Sequence, residues 1–379
     1  MQIYRDHNSS TALDPRARDA MLPFLGEHFG NPSTHHWAAT ESRRALGEAR
    51  ERIAGLLGAK PAEIIFTSGG SESNNYAIKG LLLALHLAGS GPLHVITTIV
   101  EHASVLAPLA QAERFGVRVT KLPVDRWGRV SAEDLRSAIT PDTSLVSVMH
   151  ANNEVGTLQP LGTIAAICRE HGVPLHTDAA QSVSKLPTRV DDLGVDMLTL
   201  AGHKLYGPKG IGVLYVREGL ALEPLVDGAG HESGRRAGTE NVAYAVGLGV
   251  ACDIAAADMA ADDDGPDSLR GVRDHFYDLL HEAFGDGVVL NGHPTERLPN
   301  TLNVSFVDRI GAEVVAGLDG VAASTGAACH DGSRKLSRVL SAMKVDERVG
   351  LGAIRFSTGR HTSRAEVEEV VRQLRATVS

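Results

Sequence analysis

The apolar positions of this chain switch between two periods along most of its length. Residues 40–57 place Leu46, Ala49, Ile53, Leu56 and Leu57 on one face at helical spacing, and Gly58 is a natural stop. Residues 63–68 (EIIFTS) read as a short strand that runs into the turn-rich stretch 69–75 (GGSESNN) and then an apolar helix over 76–87. Further strands are predicted at 94–100, 117–124, 145–150, 174–178, 197–200 and 211–216, with helices at 103–115, 131–138 and 161–171 between most of them. Strands alternating with helices predict an α/β fold with a largely parallel sheet covered on both faces.

A Gly- and charge-rich loop at 228–241 ends this series, and a long Ala-rich helix then runs from Val242 to an acidic break at 262–266. Beyond it the pattern predicts a helix at 269–284, strands at 288–291, 301–306 and 352–357, and a terminal helix at 364–377. We read two domains: a large one over 14–257, and a smaller α/β one over 258–379 joined by the polar arm 1–13. A length of 379 residues already exceeds what a single core usually organises.

Composition narrows the class. Hydrophobic residues make up 43% and charged residues 22%, with a net charge of −9, which disfavours a broad nucleic-acid-binding face. No apolar run looks close to the ~20 residues that cross a bilayer, and MQIYRDHNSS lacks a signal pattern. No direct nucleic-acid or membrane partner is expected. Three cysteines make no disulfide framework and point to a reducing, cytoplasmic setting. Cys168 and Cys252 lie in helical runs and read as small core residues, whereas Cys329 sits in a Gly-, Ser- and Ala-rich loop, 323–332, better suited to reaction than to packing.

The candidate chemistry lies at strand ends, where open α/β sheets place ligands. The run 198–212 (LTLAGHKLYGPKGIG) delivers Lys204 to a Gly-fenced turn, and LHTDAAQ delivers Asp178 to the end of another strand. A placed amine and a placed acid suggest a pyridoxal phosphate site, the lysine as Schiff-base amine and the acid on the pyridinium nitrogen. The strand, Gly/Ser turn and helix around 67–71 suit a phosphate cradle, although they equally suit an ordinary cap at Ser71. This stretch is neither a dinucleotide fingerprint nor a Walker loop. His102 ends the run VITTIVEH and offers a flat group that could stack on a cofactor ring.

Taken in order, TSGGSESNNYAIKG, EHAS, ANNEVGTLQP, HTDAAQSVSKLP, GHKLYGPKGIG, GRRAGTEN, TGAACHDG and IRFSTGR resemble the motif series of the cysteine desulfurases, pyridoxal-phosphate enzymes of the class V aminotransferase group. The resemblance implies a fold-type-I transferase with a mainly parallel, seven-stranded-type sheet in the large domain. It also implies roles: Lys204 as Schiff-base lysine, Asp178 on the ring nitrogen, Gln181 on the ring hydroxyl, and His102 stacked on the ring and assisting proton transfer. Gly70, Ser71 and His203 would hold the cofactor phosphate, and Thr239 would reach the phosphate of a neighbouring subunit, implying a homodimer with shared sites. Asn153 and Arg355 would hold the substrate carboxylate, a task for which a planar guanidinium suits. Cys329 would take sulfur from L-cysteine as a persulfide, giving L-alanine, with a sulfur-acceptor protein as the next partner and iron–sulfur assembly, tRNA thiolation or DNA phosphorothioation as destinations. His330 could help ionise that thiol, but adjacent side chains usually diverge and a solvated loop histidine is the plainer reading. No metal is expected. Ala201 departs from the Ser or Thr that many relatives carry, removing one donor to the phosphate. The rival readings are a selenocysteine lyase or another pyridoxal-dependent C–S lyase, and a non-catalytic sulfur carrier on the same fold.

Overall fold

The computed structural model describes residues 2–261, 264–325 and 335–378. After a two-residue strand, β1 (Ile3–Tyr4), the chain builds its large sheet from β2 (Ile64–Thr67), β3 (His94–Thr98), β4 (Arg118–Leu122), β5 (Thr143–Ser147), β6 (Leu175–Asp178), β7 (Met197–Ala201) and β8 (Gly212–Val216). The order is β2-β8-β7-β6-β5-β3-β4, with β8 antiparallel to both neighbours and every other pair parallel. This is the mainly parallel seven-stranded sheet that the alternating pattern predicts.

Because successive strand residues point to opposite faces, each strand feeds two cores. Phe66, Ile96, Val146, Leu198 and Val213 enter one, with helices Thr40–Leu57 and Leu161–His171 over them. Their neighbours Ile65, Val95, Leu145, Met197 and Leu214 enter the other, under helices Leu81–Leu87 and Ala103–Glu113. Helix Thr40–Leu57 ends at Gly58, whose φ of 65° makes the left-handed cap that the sequence predicts.

Two readings need correction. The stretch 69–75, read as a turn, is helical from Gly70, and one helical run continues through a π segment, Tyr76–Gly80, to Leu87. Tertiary contacts override the weak local propensity of GSESNN: Glu72 accepts the Ser68 N–H at 2.8 Å and pairs with Arg236 at 2.9 Å, fixing the first turn. The second concerns apolar length. Helix Val242–Ala261 has 20 residues and a mean hydropathy of 1.5, enough by composition to cross a membrane, although more than half of it is buried in the fold. Its first part, to Ala255, packs among neighbours, while Asp253 and the last turns stay exposed. A β-carbon at Gly249 would lie 2.9 Å from the Cα of Ala49, so only glycine allows this approach to Thr40–Leu57. The same helix runs unbroken past residue 257.

The C-terminal part forms a second sheet from β9 (Val288–Asn291), β10 (Thr301–Phe306) and β12 (Ala353–Ser357), antiparallel throughout in the order β12-β10-β9. Helices Leu269–Phe284 and Arg364–Val378 cover it with Val272, Phe276, Val367 and Val370. The N-terminal arm meets this part: β1 pairs in parallel with β11 (Val321–Ala322), and Asp6 bridges to Ser357. A cluster of Val100 and Val155 with Val339, Leu340, Met343 and Ala353 packs the two parts together.

Phe356 is fully buried beside Arg355 on β12 and meets the Phe276 ring at 5.0 Å. Phe356→Ala should cost about 3–5 kcal/mol through lost transfer energy and a cavity. Denaturant unfolding followed by fluorescence measures this; a loss under about 1 kcal/mol would mean that the small core repacks.

Candidate active site

A cavity of about 380 Å³ opens at the carboxyl ends of β2, β3, β5, β6 and β7, and it brings together Gly70, Ser71, His102, Asn153, Asp178, Gln181, His203, Lys204 and Arg355. These are all but two of the expected site residues. Thr239 lines a separate cavity of about 180 Å³ on this chain, with Thr67 and Ser68. Cys329 and His330 lie outside the described residues.

The parallel pairing of β6 with β7 sets the centre. Asp178 lies opposite Thr199, so its side chain and the turn Gly202–Lys204 leave the sheet at the same edge. The Asp178 carboxylate accepts from Asn74 Nδ2 at 2.7 Å and from the Ala180 N–H at 2.9 Å, and no cation pairs with it among the described residues. A carboxylate so deep needs a positive donor, and a protonated ring nitrogen provides one. Close by, Glu101 is wholly enclosed, accepting from Thr98 Oγ1 at 3.0 Å and the Met149 N–H at 2.8 Å. Burial pushes its pKa up to about 8, so it stays protonated near neutrality and adds no second negative charge there.

His102 caps helix Ala103–Glu113 by accepting the Ser104 N–H at 3.2 Å on Nδ1, which lies 2.7 Å from Ser104 Oγ. The ring lines the cavity, and partial burial lowers its pKa, with Lys204 and Arg338 lowering it further and Asp178 opposing. Ser104 Oγ in turn accepts from Asn74 Nδ2 at 2.8 Å, so one buried amide ties Asp178 to His102. Asn74 and Ser104 escape the sequence reading, although Asn74 stands in the same motif as Ser71, three positions on and so on the same helical face.

The cradle is made by Gly69 at φ 150°, a conformation glycine adopts freely, followed by the helix from Gly70. First-turn N–H groups have no acceptor within a helix, and the dipole adds positive potential. A β-carbon on Gly212 would sit 2.7 Å from the Gly69 backbone, so that glycine lets β8 pass beneath the turn. Ala201 closes the floor, 3.2 Å from where a Gly70 β-carbon would be. Thr67 is turned away from the cavity and lies 2.7 Å from Ser73 Oγ.

Lys204 Nζ donates to the carbonyls of Asn8 at 2.5 Å and Ser9 at 2.7 Å. Gln181 Nε2 donates to the same Asn8 carbonyl at 2.9 Å, while its buried Oε1 has no partner and would take a hydroxyl donor. Burial, then the Arg355 charge, lower the Lys204 pKa to about 8, with Asp178 and Asp6 opposing. Burial likewise brings His203 down to about 4, leaving a neutral ring. Arg355 Nη1 donates to the Asn153 carbonyl at 2.8 Å, while Nη2 donates to Asp6 Oδ1 at 2.6 Å and Ser9 Oγ at 2.9 Å. An anion cradle, an unpaired buried carboxylate, an open hydroxyl acceptor and a lysine of lowered pKa together fit pyridoxal phosphate.

Residues 3–370 match the aminotransferase class-V family, and the chain belongs to it. It is a cysteine desulfurase, with pyridoxal phosphate as its cofactor. The chain is 44% identical over 383 residues to the cysteine desulfurase IscS of Dictyoglomus turgidum, covering 99% of this chain and 95% of that one. A solved NifS-like protein superposes with a TM-score of 0.92 at 33% identity, covering 100% of this chain and 99% of that one. The structure of SspA in complex with cysteine gives 0.83 at 37% identity over 96% of this chain and all of that one.

In the cofactor-free protein, Lys204 should acylate half-maximally near pH 8, whereas ordinary lysines titrate near 10.4. Competitive labelling read by peptide mass spectrometry tests this, and a midpoint above about 10 would remove the case for a lowered pKa.

Proposed function

We propose that this desulfurase takes sulfur from L-cysteine, releases L-alanine and leaves a persulfide on Cys329 for transfer to an acceptor. The observation that carries the reading is the convergence of Lys204, Asp178, His102 and Arg355 on one cavity of about 380 Å³. A non-catalytic carrier has no need of this set.

Asp178 would hold the cofactor's ring nitrogen protonated, Gln181 its ring hydroxyl, and Gly70, Ser71 and His203 its phosphate. When bound, pyridoxal phosphate supplies an electron sink that labilises bonds at the substrate α-carbon. Arg355 and Asn153 orient the substrate through its carboxylate. With its pKa lowered to about 8, about a tenth of Lys204 is neutral at pH 7 against well under a hundredth for an ordinary lysine, and that neutral fraction can take a proton at the α-carbon and return one to the product. His102 is the second group able to hold that proton. The Cys329 thiolate attacks the substrate sulfur, the substrate C–S bond breaks, and the departing carbon takes up protons to become L-alanine. Unassisted, a thiol with a pKa of ~8.5 is only a few per cent ionised near neutrality, so Cys329 needs a lowered pKa or a local base.

A homodimer completes the site in this reading. Thr239 does not reach its own chain's cofactor cavity, and Leu25, Phe29 and Trp37 stand 63%, 76% and 84% exposed on one N-terminal segment, as residues awaiting a second copy would. A sulfur-acceptor protein is the next partner. A cytoplasmic setting suits a persulfide that must stay exchangeable.

Incubated with L-cysteine, cofactor and reductant, the parent should release alanine and sulfide, and Cys329→Ser should lose both while keeping its yellow colour. Equal turnover by both proteins would exclude Cys329 as the sulfur acceptor and favour a lyase. Ala201→Ser should tighten cofactor retention, since a hydrogen bond to a charged phosphate contributes about 1.5–3 kcal/mol. Dialysis followed by absorbance measures this, and unchanged retention would mean that water or Ser71 already fills the role.

A further inference from the structure

The Arg355 guanidinium is claimed before any substrate arrives. A carboxylate gripped by two parallel bonds must use either the Nε/Nη2 edge or the Nη1/Nη2 edge, and both edges include Nη2. Nη2 is the nitrogen that donates to Asp6 Oδ1 at 2.6 Å and to Ser9 Oγ at 2.9 Å. The Nε, buried, has no partner, and Nη1 serves the Asn153 carbonyl at 2.8 Å. Both Nη2 protons are therefore taken, and a fork grip forms only if the Asp6 carboxylate or the Ser9 hydroxyl gives way; the carboxylate is the charged competitor of the two.

Asp6 is built to give way by its side chain alone. Its backbone bridges to Ser357 on β12, the strand that carries Arg355, and the Ser357 N–H donates to the Arg5 carbonyl at 2.8 Å. Its side chain keeps 20% of its surface open, against 7% for Arg355, so water can receive the carboxylate when it swings out. The geometry points to Asp6 as a resident placeholder for the substrate carboxylate, a specificity-determining residue that keeps Arg355 aimed and makes the site selective for ligands able to displace it. This rests on the reading that Arg355 receives that carboxylate.

The placeholder also sits on the segment that holds the amine. Asp6 accepts the Ser9 N–H at 2.9 Å through its carbonyl, and the carbonyls of Asn8 and Ser9 are those that Lys204 Nζ contacts. Carboxylate recognition and the lysine thus meet within four consecutive residues, 6–9.

The test is Asp6→Asn, which keeps the shape and removes the charge, with Asp6→Glu as the variant that restores a competitor and melting curves to establish that both fold. Removing a competitor raises apparent affinity by the reciprocal of the fraction of sites it left open. For the holoenzyme, the KM for L-cysteine should therefore fall about three- to tenfold in Asp6→Asn, with inhibition by cysteamine, which lacks the carboxylate, unchanged. Calorimetric titration of the cofactor-free protein with L-alanine should show a tightening of similar size. Asp6→Glu should return both towards the parent. In an Arg355→Gln background Asp6→Asn should make no difference. Unchanged or weaker binding of L-cysteine and L-alanine, or a parallel change for cysteamine, would overturn the placeholder. If the parent releases no alanine from L-cysteine, the desulfurase reading fails, while the L-alanine titration still decides the role of Asp6.

Discussion

The pocket depends on one piece of register. Because β6 and β7 run side by side in the same direction with Asp178 opposite Thr199, the acid and the turn bearing Lys204 emerge at one edge of the sheet. A slip of one residue would turn Asp178 to the opposite face. The register is secured by packing. Leu175 feeds one core while its neighbour His176, buried between Ser147 Oγ at 2.9 Å and Thr199 Oγ1 at 3.1 Å, fills the other side with polar contacts that a shifted strand could not satisfy.

Around this edge the electrostatics are arranged by subtraction. Glu101 is kept protonated and His203 kept neutral, so few formal charges remain to act on a ligand. Asp178 supplies the negative charge. Arg355, offset by Asp6, supplies a positive one, and Lys204 is poised between states. In so enclosed a place each surviving charge acts over a longer range than it would in water.

Much of this was legible in the chain. The alternation of strands and helices gave the layers, and Lys204, Asp178, Gly70 and His102 could be singled out because each stands at a strand end or turn. What was not legible is of two kinds. Asn74 and Ser104 act through hydrogen bonds that join two helices, Gly70–Asn75 and Ala103–Glu113, and no local pattern announces such a pairing. Asp6, Asn8 and Ser9 read as a plain polar arm, because their contacts lie with Arg355, Asn300, Thr301 and Ser357, about three hundred or more positions away. Helix Val242–Ala261 was legible as a helix, but its apolar length was not, because its Gly and Ala residues look unremarkable in composition.

The closure of the arm carries a consequence for how the molecule comes into being. β1 finds its partner only at Val321–Ala322, and Asn8 is locked by residues 300, 301 and 357. Contacts so distant in sequence form late, because the loop they close must be ordered first. On a ribosome, where N-terminal parts emerge first, the opening residues wait unpaired until almost the last strand is made. Until residues 300, 301 and 357 are in place, the carbonyls that meet Lys204 lack the contacts that seat them. The pocket thereby reports that the C-terminal sheet has been made.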